Sequence, residues 1–297
     1  IKKDIIKNYQ LYLLMIPGFL LLILFKIGPV GAMVIAFEDF SAAKGVFGST
    51  WVGLENFKRI LQDPYIWKIT KNTIVLAFLS VVVVFPIPII FSLFLNEVRT
   101  KWVRNTVQSL SFLPYFISAA VMVSIMYTLL SPTSGLINIL ITKLGGTSTN
   151  FMAKPEWFRP LYVILEIWQT FGYSAIIYIA AMMNIDPTLY EAAEIDGCTN
   201  FKFLYTIGVP LIKPSLGALI IYVFLQSWNY YLWPLLVTDS VNMRTVQIGL
   251  GMLQGAEATD FRPVMAGAMV ILIPSILVFI IGQKQMISGL TAGAVKG

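Results

Sequence analysis

Glu191-Ala-Ala-Glu-Ile-Asp-Gly-Cys-Thr-Asn-Phe-Lys-Phe-Leu-Tyr-Thr-Ile-Gly-Val-Pro210 is a polar stretch held between two very apolar segments, and its reading decides the fold. Its local chemistry is a helix, a sharp turn and a second short helix. Asp186 suits an N-cap, and Pro187 suits the first helical position, where its missing N–H would be unpaired anyway. Leu189, Ala192, Ala193 and Asp196 then share one face, while Tyr190, Glu191 and Glu194 lie on others. Gly197 fits the left-handed position that ends a helix, because a Cβ is penalised there. Phe201, Leu204 and Tyr205 make a second apolar stripe that Pro210 stops.

Outward from this loop, residues 185–213, the chain turns apolar on both sides. A helix of about 20 apolar residues crosses a bilayer. Six segments have that character: residues 11–37, 74–95, 107–130, 161–183, 215–237 and 263–282. The first, interrupted by Pro17, Lys26 and Pro29, is too long for the apolar core of a signal peptide and lacks a small-residue cleavage site. It therefore reads as a retained span, with room for a few residues ahead of Ile1. No repeat or low-complexity linker divides the chain, so residues 1–297 read as one all-α integral membrane domain of about six transmembrane helices.

Composition agrees and excludes other classes. Hydrophobic residues make up 57% of the chain and charged residues 12%, with a mean hydropathy of +0.78. A net charge of +6 would suggest nucleic acid in a soluble protein. Here the bases lie in tails and loops and read as membrane topology, so no nucleic-acid partner is expected. With both termini in the cytoplasm, ten Lys and Arg fall inside and ten in outer loops. The inner ones sit closer to span ends, which favours that orientation. Cys198 is the single cysteine, so no intrachain disulfide or thiolate cluster can form. Histidine is absent, which removes the commonest general base and the usual zinc ligand. No metal or cofactor site is expected. The Gly-rich run from Gly249 to Gly255 has neither the spacing nor the lysine of a nucleotide-cradling loop, so any ATP and Mg would be bound by another chain.

Within the predicted spans, polar residues are costly and point to a cavity or a partner. On the fourth, Glu166, Gln169, Thr170 and Tyr173 form one stripe at i, i+3, i+4 and i+7. On the fifth, Gln226, Ser227, Tyr230 and Trp233 form another, with Trp228, Asn229 and Tyr231 beside them. Amides and a carboxylate beside flat aromatic faces suit a sugar ring, and a site matched to hydroxyls discriminates against analogues that lack them. The simpler reading is hydrogen bonding between helices plus an interfacial aromatic belt. From Trp51 to Trp67, Leu54, Phe57, Ile60 and Leu61 have helical spacing and predict an amphipathic helix at the outer interface.

The central loop resembles a known family. Glu191-Ala192-Ala193, three residues, Gly197, nine residues, Ile207, one residue and Val209-Pro210 is similar to the "EAA" motif of permease subunits in bacterial binding-protein-dependent ABC importers. Trp51-Val-Gly-Leu-x-Asn-Phe57, the loop from Asn96 to Ser111 and the end from Gly289 to Gly297 resemble sugar permeases of that superfamily. The first half is similar to one of the two paired subunits of such importers and the last sixty residues to the other, which leaves open which of the pair this chain is.

The resemblance implies the type I ABC importer permease fold, with a cytoplasmic coupling helix docked on an ATPase dimer. Glu191, Ala192, Ala193, Glu194, Asp196, Gly197, Phe201, Ile207 and Pro210 would form the ATPase-coupling surface. Glu166, Gln169, Thr170, Tyr173, Gln226, Ser227, Trp228, Asn229 and Tyr230 would contact substrate, since family permeases bind sugar on the helices flanking this loop. It also implies a second homologous permease, a solute-binding protein, a sugar or oligosaccharide as cargo, a bacterial cell membrane, and no catalysis by this chain. The alternative is an ion-coupled secondary transporter with Glu166 as the coupling carboxylate. An intramembrane enzyme is disfavoured by the lack of histidine and of any nucleophile–base spacing.

Overall fold

The computed structural model describes residues 8–183, 209–237, 240–253 and 260–292, with positions 188, 195, 197–199, 202, 205 and 206 between them. The chain forms two compact units, residues 1–67 with 250–273 and residues 68–249 with 274–297.

In the first unit an apolar rod runs Tyr9–Phe37. It widens to a π turn over Ile23–Ile27 and tightens to a 3₁₀ helix over Ala32–Phe37. Along Tyr9–Leu22 no side chain is buried. The backbone becomes extended at Glu38, and Glu38–Asp39 pairs antiparallel with Thr50–Trp51, Glu38 opposite Trp51. Phe37 stacks on Trp51 with ring centroids 5.4 Å apart and tilts against Phe57 at 5.0 Å. The carbonyls released where the helix stops are taken up at once. Asn56 Nδ2 donates to Ala36 O at 3.0 Å and Glu38 O at 2.9 Å, and Val52 N and Gly53 N donate to Phe37 O.

Asn56 lies on the helix Glu55–Gln62, an amphipathic helix within the Trp51–Trp67 stretch where one is expected. Ile60 is buried, but Leu54 and Leu61 are exposed, at 62% and 40%. Bonding of Asn56 to the two carbonyls turns Asn56 and Ile60 inward together. In the same unit Arg262 bonds Asp260 through Nε at 2.8 Å and also reaches Asp39. Its hydrogen bond holds the Asp260 carboxyl below the usual carboxylate range.

The second unit contains most of the bundle. The helix Pro64–Glu97 begins well before the predicted residue 74. It includes a π turn, Ser80–Val84, in which Phe85 N donates to Ser80 O five residues back. The cause lies just downstream. Pro86 has no N–H to give, and its ring would clash with the carbonyl four residues earlier, so the turn ahead of it opens.

The third predicted span, 107–130, is corrected in shape. Lys101–Phe116 and Ala119–Leu130 meet at 103°. Pro114 sits in the 3₁₀ turn Leu113–Phe116, Ile117 is extended, and Ser118 caps the next helix by accepting from Val121 N at 3.4 Å. After Leu130, Asn138 Nδ2 reaches the carbonyls of Leu130, Ser131 and Thr149 at 2.9–3.0 Å.

The fourth span is the helix Pro155–Met183, and Gly172 sets how closely it approaches Lys101–Phe112. A Cβ on Gly172 would lie 2.0 Å from Ser111 O, so the two backbones touch. The fifth, predicted as 215–237, divides into Val209–Trp228 and a short helix Leu232–Val237. Phe261–Ala292 forms the sixth.

Among the described residues four helices are long and apolar enough to cross a membrane: Tyr9–Phe37, Pro64–Glu97, Pro155–Ala180 and Phe261–Ile287. The bent pair makes a fifth, and Leu216–Trp228 is a shorter apolar helix, so six is an approximate count.

The backbone contact at Gly172 gives a direct test. Gly172→Ala should lower the melting temperature of the purified protein in detergent by several degrees, since overpacking a helix contact costs about 1–3 kcal/mol. Gly18→Ala, where a Cβ meets nothing within 4 Å, should not. Equal melting of the two variants would show that the contact is not tight.

Candidate translocation site

The polar residues of the fourth span turn toward two different places. Glu166 faces the bundle. Ser80 Oγ donates to Glu166 Oε2 at 2.7 Å and lies 3.1 Å from Ser227 Oγ, which lies 3.3 Å from the Tyr162 hydroxyl. Three helices are thus tied by one chain of hydrogen bonds around Ser80, whose exposure is 0%. Thr170 donates to Glu166 O one turn back at 2.7 Å and carries its hydroxyl inside its own helix.

Tyr173 lies elsewhere, at the break of the third span. Its ring stacks on Tyr115 with centroids 3.9 Å apart and planes 6° apart. Phe112 continues the stack 5.8 Å from Tyr173, and Phe116 meets Phe112 edge-on at 4.8 Å. Burial does not account for this cluster, because Tyr115, Phe116 and Tyr173 keep 41%, 70% and 37% of their surface exposed. Tyr222 of the fifth span is also exposed. Gln169 joins the two regions: its Nε2 donates to Ile117 O at 2.9 Å, the carbonyl left without a helical partner by the break.

The stripe expected on the fifth span is corrected, because the helix stops at Trp228 and helical spacing does not continue to Tyr230 and Trp233. The break still brings much of the set together. Ser227, Tyr230 and Trp233 all meet Tyr162, the two rings at 6.3 Å and 5.4 Å. Trp228 is buried at 1% and stacks on Phe224, so it is a packing residue rather than part of an interfacial belt. Gln226 is exposed; Asn229 is exposed and accepts from Gln247 Nε2 at 3.2 Å.

Of the expected coupling residues, Glu191, Ala192, Ala193, Glu194, Asp196, Phe201 and Ile207 lie outside the described residues. Gly197 is described and takes φ +64°, the left-handed conformation expected of a residue ending a helix. Pro210 occupies the first turn of Val209–Trp228. Ile195 and Tyr205 are exposed at 86% and 81%.

Sequence reasoning missed Ser80, Tyr162, Phe112, Tyr115 and Tyr222. Tyr162 was within reach, since it stands one turn before Glu166 on the same face. Phe112-Leu113-Pro114-Tyr115-Phe116 concentrates aromatics around a proline, but a continuous helix would have scattered them. Among the described residues no group of three His, Cys, Asp or Glu could hold a metal ion.

The family described as the inner membrane component of binding-protein-dependent transport systems matches residues 84–286. The chain belongs to this family. Among its relatives, the polygalacturonan/rhamnogalacturonan transport system permease YteP of Bacillus subtilis (strain 168) is 42% identical over 217 residues, 73% of this chain and 68% of that one. The arabinooligosaccharides transport system permease AraQ of the same organism is 43% identical over 115 residues, 39% of this chain and 41% of that one. A crystal structure of a bacterial ABC transporter involved in import of the acidic polysaccharide alginate aligns with a TM-score of 0.82 and 27% identity, covering 99% of both chains. The permease fold expected from the loop is therefore present, and no finding supports the ion-coupled alternative.

Because the hydrogen bonds around Ser80 span three helices of the permease, removing their hub should be costly. Ser80→Ala should destabilise the protein by about 1–3 kcal/mol, the cost of leaving a buried partner unsatisfied. Combined with Glu166→Ala, the loss should be smaller than the two single losses added, by at least about 0.5 kcal/mol. Strict additivity in denaturation would show that the contact carries no energy.

Proposed function

We propose that this chain is one of two permease subunits of a carbohydrate importer driven by ATP hydrolysis on separate subunits. The observation that carries the reading is the exposed aromatic stack of Tyr115 and Tyr173 at the break of a span, in a chain whose relatives serve saccharide transport systems. Flat aromatic faces bearing hydroxyls are the chemistry that grips a sugar ring from its apolar side and bonds its rim. Tyr173 and Tyr115 give the platform, Gln169 bonds the Ile117 carbonyl at the same break, and Tyr222 adds an exposed ring on the fifth span. Gln226 and Asn229, exposed on the fifth span, supply further amides. Glu166, Ser227 and Tyr230 act from behind as the frame of the site.

In this reading a solute-binding protein delivers an oligosaccharide to the side opposite the ATPases. The loop 185–213 is cytoplasmic, as are both termini, and carries the closure of the ATPase pair to the bundle. The chain itself breaks no bond. The left-handed Gly197 supports this role, since a coupling element must be a stiff turn with a fixed angle between its two short helices.

Reconstituted vesicles test the reading. Uptake of the saccharide identified on the cognate binding protein should fall about 5- to 30-fold in Tyr115→Ala and Tyr173→Ala, the effect of losing about 1–2 kcal/mol of stacking and rim bonding. The subunits should still co-purify. Wild-type uptake in both variants would remove the platform from the transport path.

The loop is tested separately. Gly197→Val should leave the protein inserted but uncouple ATP hydrolysis from uptake. Glu191→Lys should release the ATPase more readily than Glu191→Ala, because it adds repulsion to a lost pair worth about 2–5 kcal/mol. Normal ATPase retention and normal uptake in all three would mean that the loop does not couple.

A further inference from the structure

Between the third and fourth spans the chain builds a short helix, Leu136–Lys143, that turns its apolar side chains away from the bundle. Asn138 is the side chain it buries. Leu136, Ile137, Ile139, Leu140 and the following Leu144 are all exposed, Leu144 to 87%. The element around them is firmly bonded. Besides the carbonyls held by its Nδ2, Asn138 accepts from Thr149 N at 2.8 Å through Oδ1, and Ser148 Oγ donates to Pro132 O at 2.6 Å. At the far end Gly145 takes φ +85° and Gly146 N donates back to Ile141 O at 2.9 Å, which closes the helix. Such an apolar face is costly to hold in water.

The level of the helix is fixed from two sides. Asn138 bonds the carbonyl of Leu130, the last residue of the third span, and that of Thr149. Phe151 N donates to Thr149 O, and the Phe151 ring meets Trp157 edge-on at 4.8 Å, in the first turn of the fourth span. Trp157 is itself exposed, as the tryptophans of an interfacial belt are. The helix therefore sits where one span ends and the next begins. Charge agrees with that place. From Val98 to Pro155 the chain has no acid. Lys143, in the last turn of the helix, is exposed and pairs with nothing among the described residues. Apolar residues edged by a lysine are the make-up of a helix lying in a lipid interface. Lipid already surrounds the span ends to which this helix is tied, so its exposed face continues that surface.

We propose that Leu136–Leu144 lies in the headgroup–acyl boundary of the bilayer, with its leucines and isoleucines among the acyl chains and Lys143 against the phosphate of an anionic phospholipid. Anchored in this way, the helix sets how deep the end of the third span and the start of the fourth sit in the membrane.

The test places a nitroxide at Leu140→Cys or Leu144→Cys in a Cys198→Ser background; both positions are exposed, so the label disturbs no packing. The chain, with the subunits that co-purify, is reconstituted into nanodiscs of phosphatidylcholine and phosphatidylglycerol. Power saturation of the label is then measured with oxygen, which concentrates in lipid, and with a nickel chelate, which stays in water. Both labels should collide more with oxygen than with nickel, at about 5–10 Å below the phosphates on a scale set by spin-labelled lipids. Lys143→Glu, or discs of phosphatidylcholine alone, should shift the Leu144→Cys label toward water; no shift in either overturns the role given to the phosphate. Dominant nickel collisions at both positions would put the helix in water and overturn the proposal. Labels shielded from both reagents would overturn it too, because another protein would then cover the face.

Discussion

A backbone carbonyl freed inside an apolar medium has no water to bond, and leaving it bare costs several kcal/mol. Side-chain amides of this chain take up carbonyls at helix ends and in the loops that follow them. Asn56 takes the carbonyls of Ala36 and Glu38, Asn72 those of Asn242 and Arg244, and Asn138 those of Leu130, Ser131 and Thr149. Gln169 takes that of Ile117. The choice of residue follows from the task. An amide NH₂ has two hydrogens and bridges two carbonyls at once, or three where one hydrogen is shared, whereas a hydroxyl has one.

The bend at Ile117 shows what a break in a span provides. Irregular backbone at membrane depth is tolerated against protein or against a cavity, but not against lipid. A turn of 103° with Phe116 at 70% exposure and Tyr115 at 41% therefore belongs on a cavity or a partner. The kink and the aromatic platform are one feature: Pro114 makes the turn, Gln169 satisfies it, and the rings flanking the proline are displayed by it.

Much of the fold was legible because length and apolarity are cumulative signals, which the breaks within a span do not erase. The turn at Gly197 was legible for a stricter reason, since few residues other than glycine hold φ +64° without strain. The stripes were less so. Spacing assumes one continuous helix, and it failed where the fifth span stops at Trp228. The aromatics around Pro114 were invisible as a site because their meeting with Tyr173 depends on the bend and on backbone contact at Gly172, neither of which has a periodicity.

The second span carries this furthest. Its buried positions include Thr73, Leu76, Ala77, Ser80, Val84, Pro88 and Ser92, and between Ser80 and Val84 the helix widens into the π turn. Within that turn the ladder shifts by one residue, with Phe85 N donating to Ser80 O, while Val83 is 37% exposed and Val84 6%. The run Ser80-Val-Val-Val-Val-Phe is apolar on every face, so no pattern in it announces the shift, and only Pro86 beyond it gives the cause. The consequence is chemical. Serine and threonine in apolar helices ordinarily spend their hydroxyl on the carbonyl one turn back, as Thr73, Ser111, Ser124, Thr128 and Thr170 do here. Ser80 does not. Its hydroxyl is given to Glu166, which lets an acid stand inside the bundle as a fixed strut between helices, and leaves the neighbouring turns of the same helix to hold Gln169 and Tyr173 at the opening.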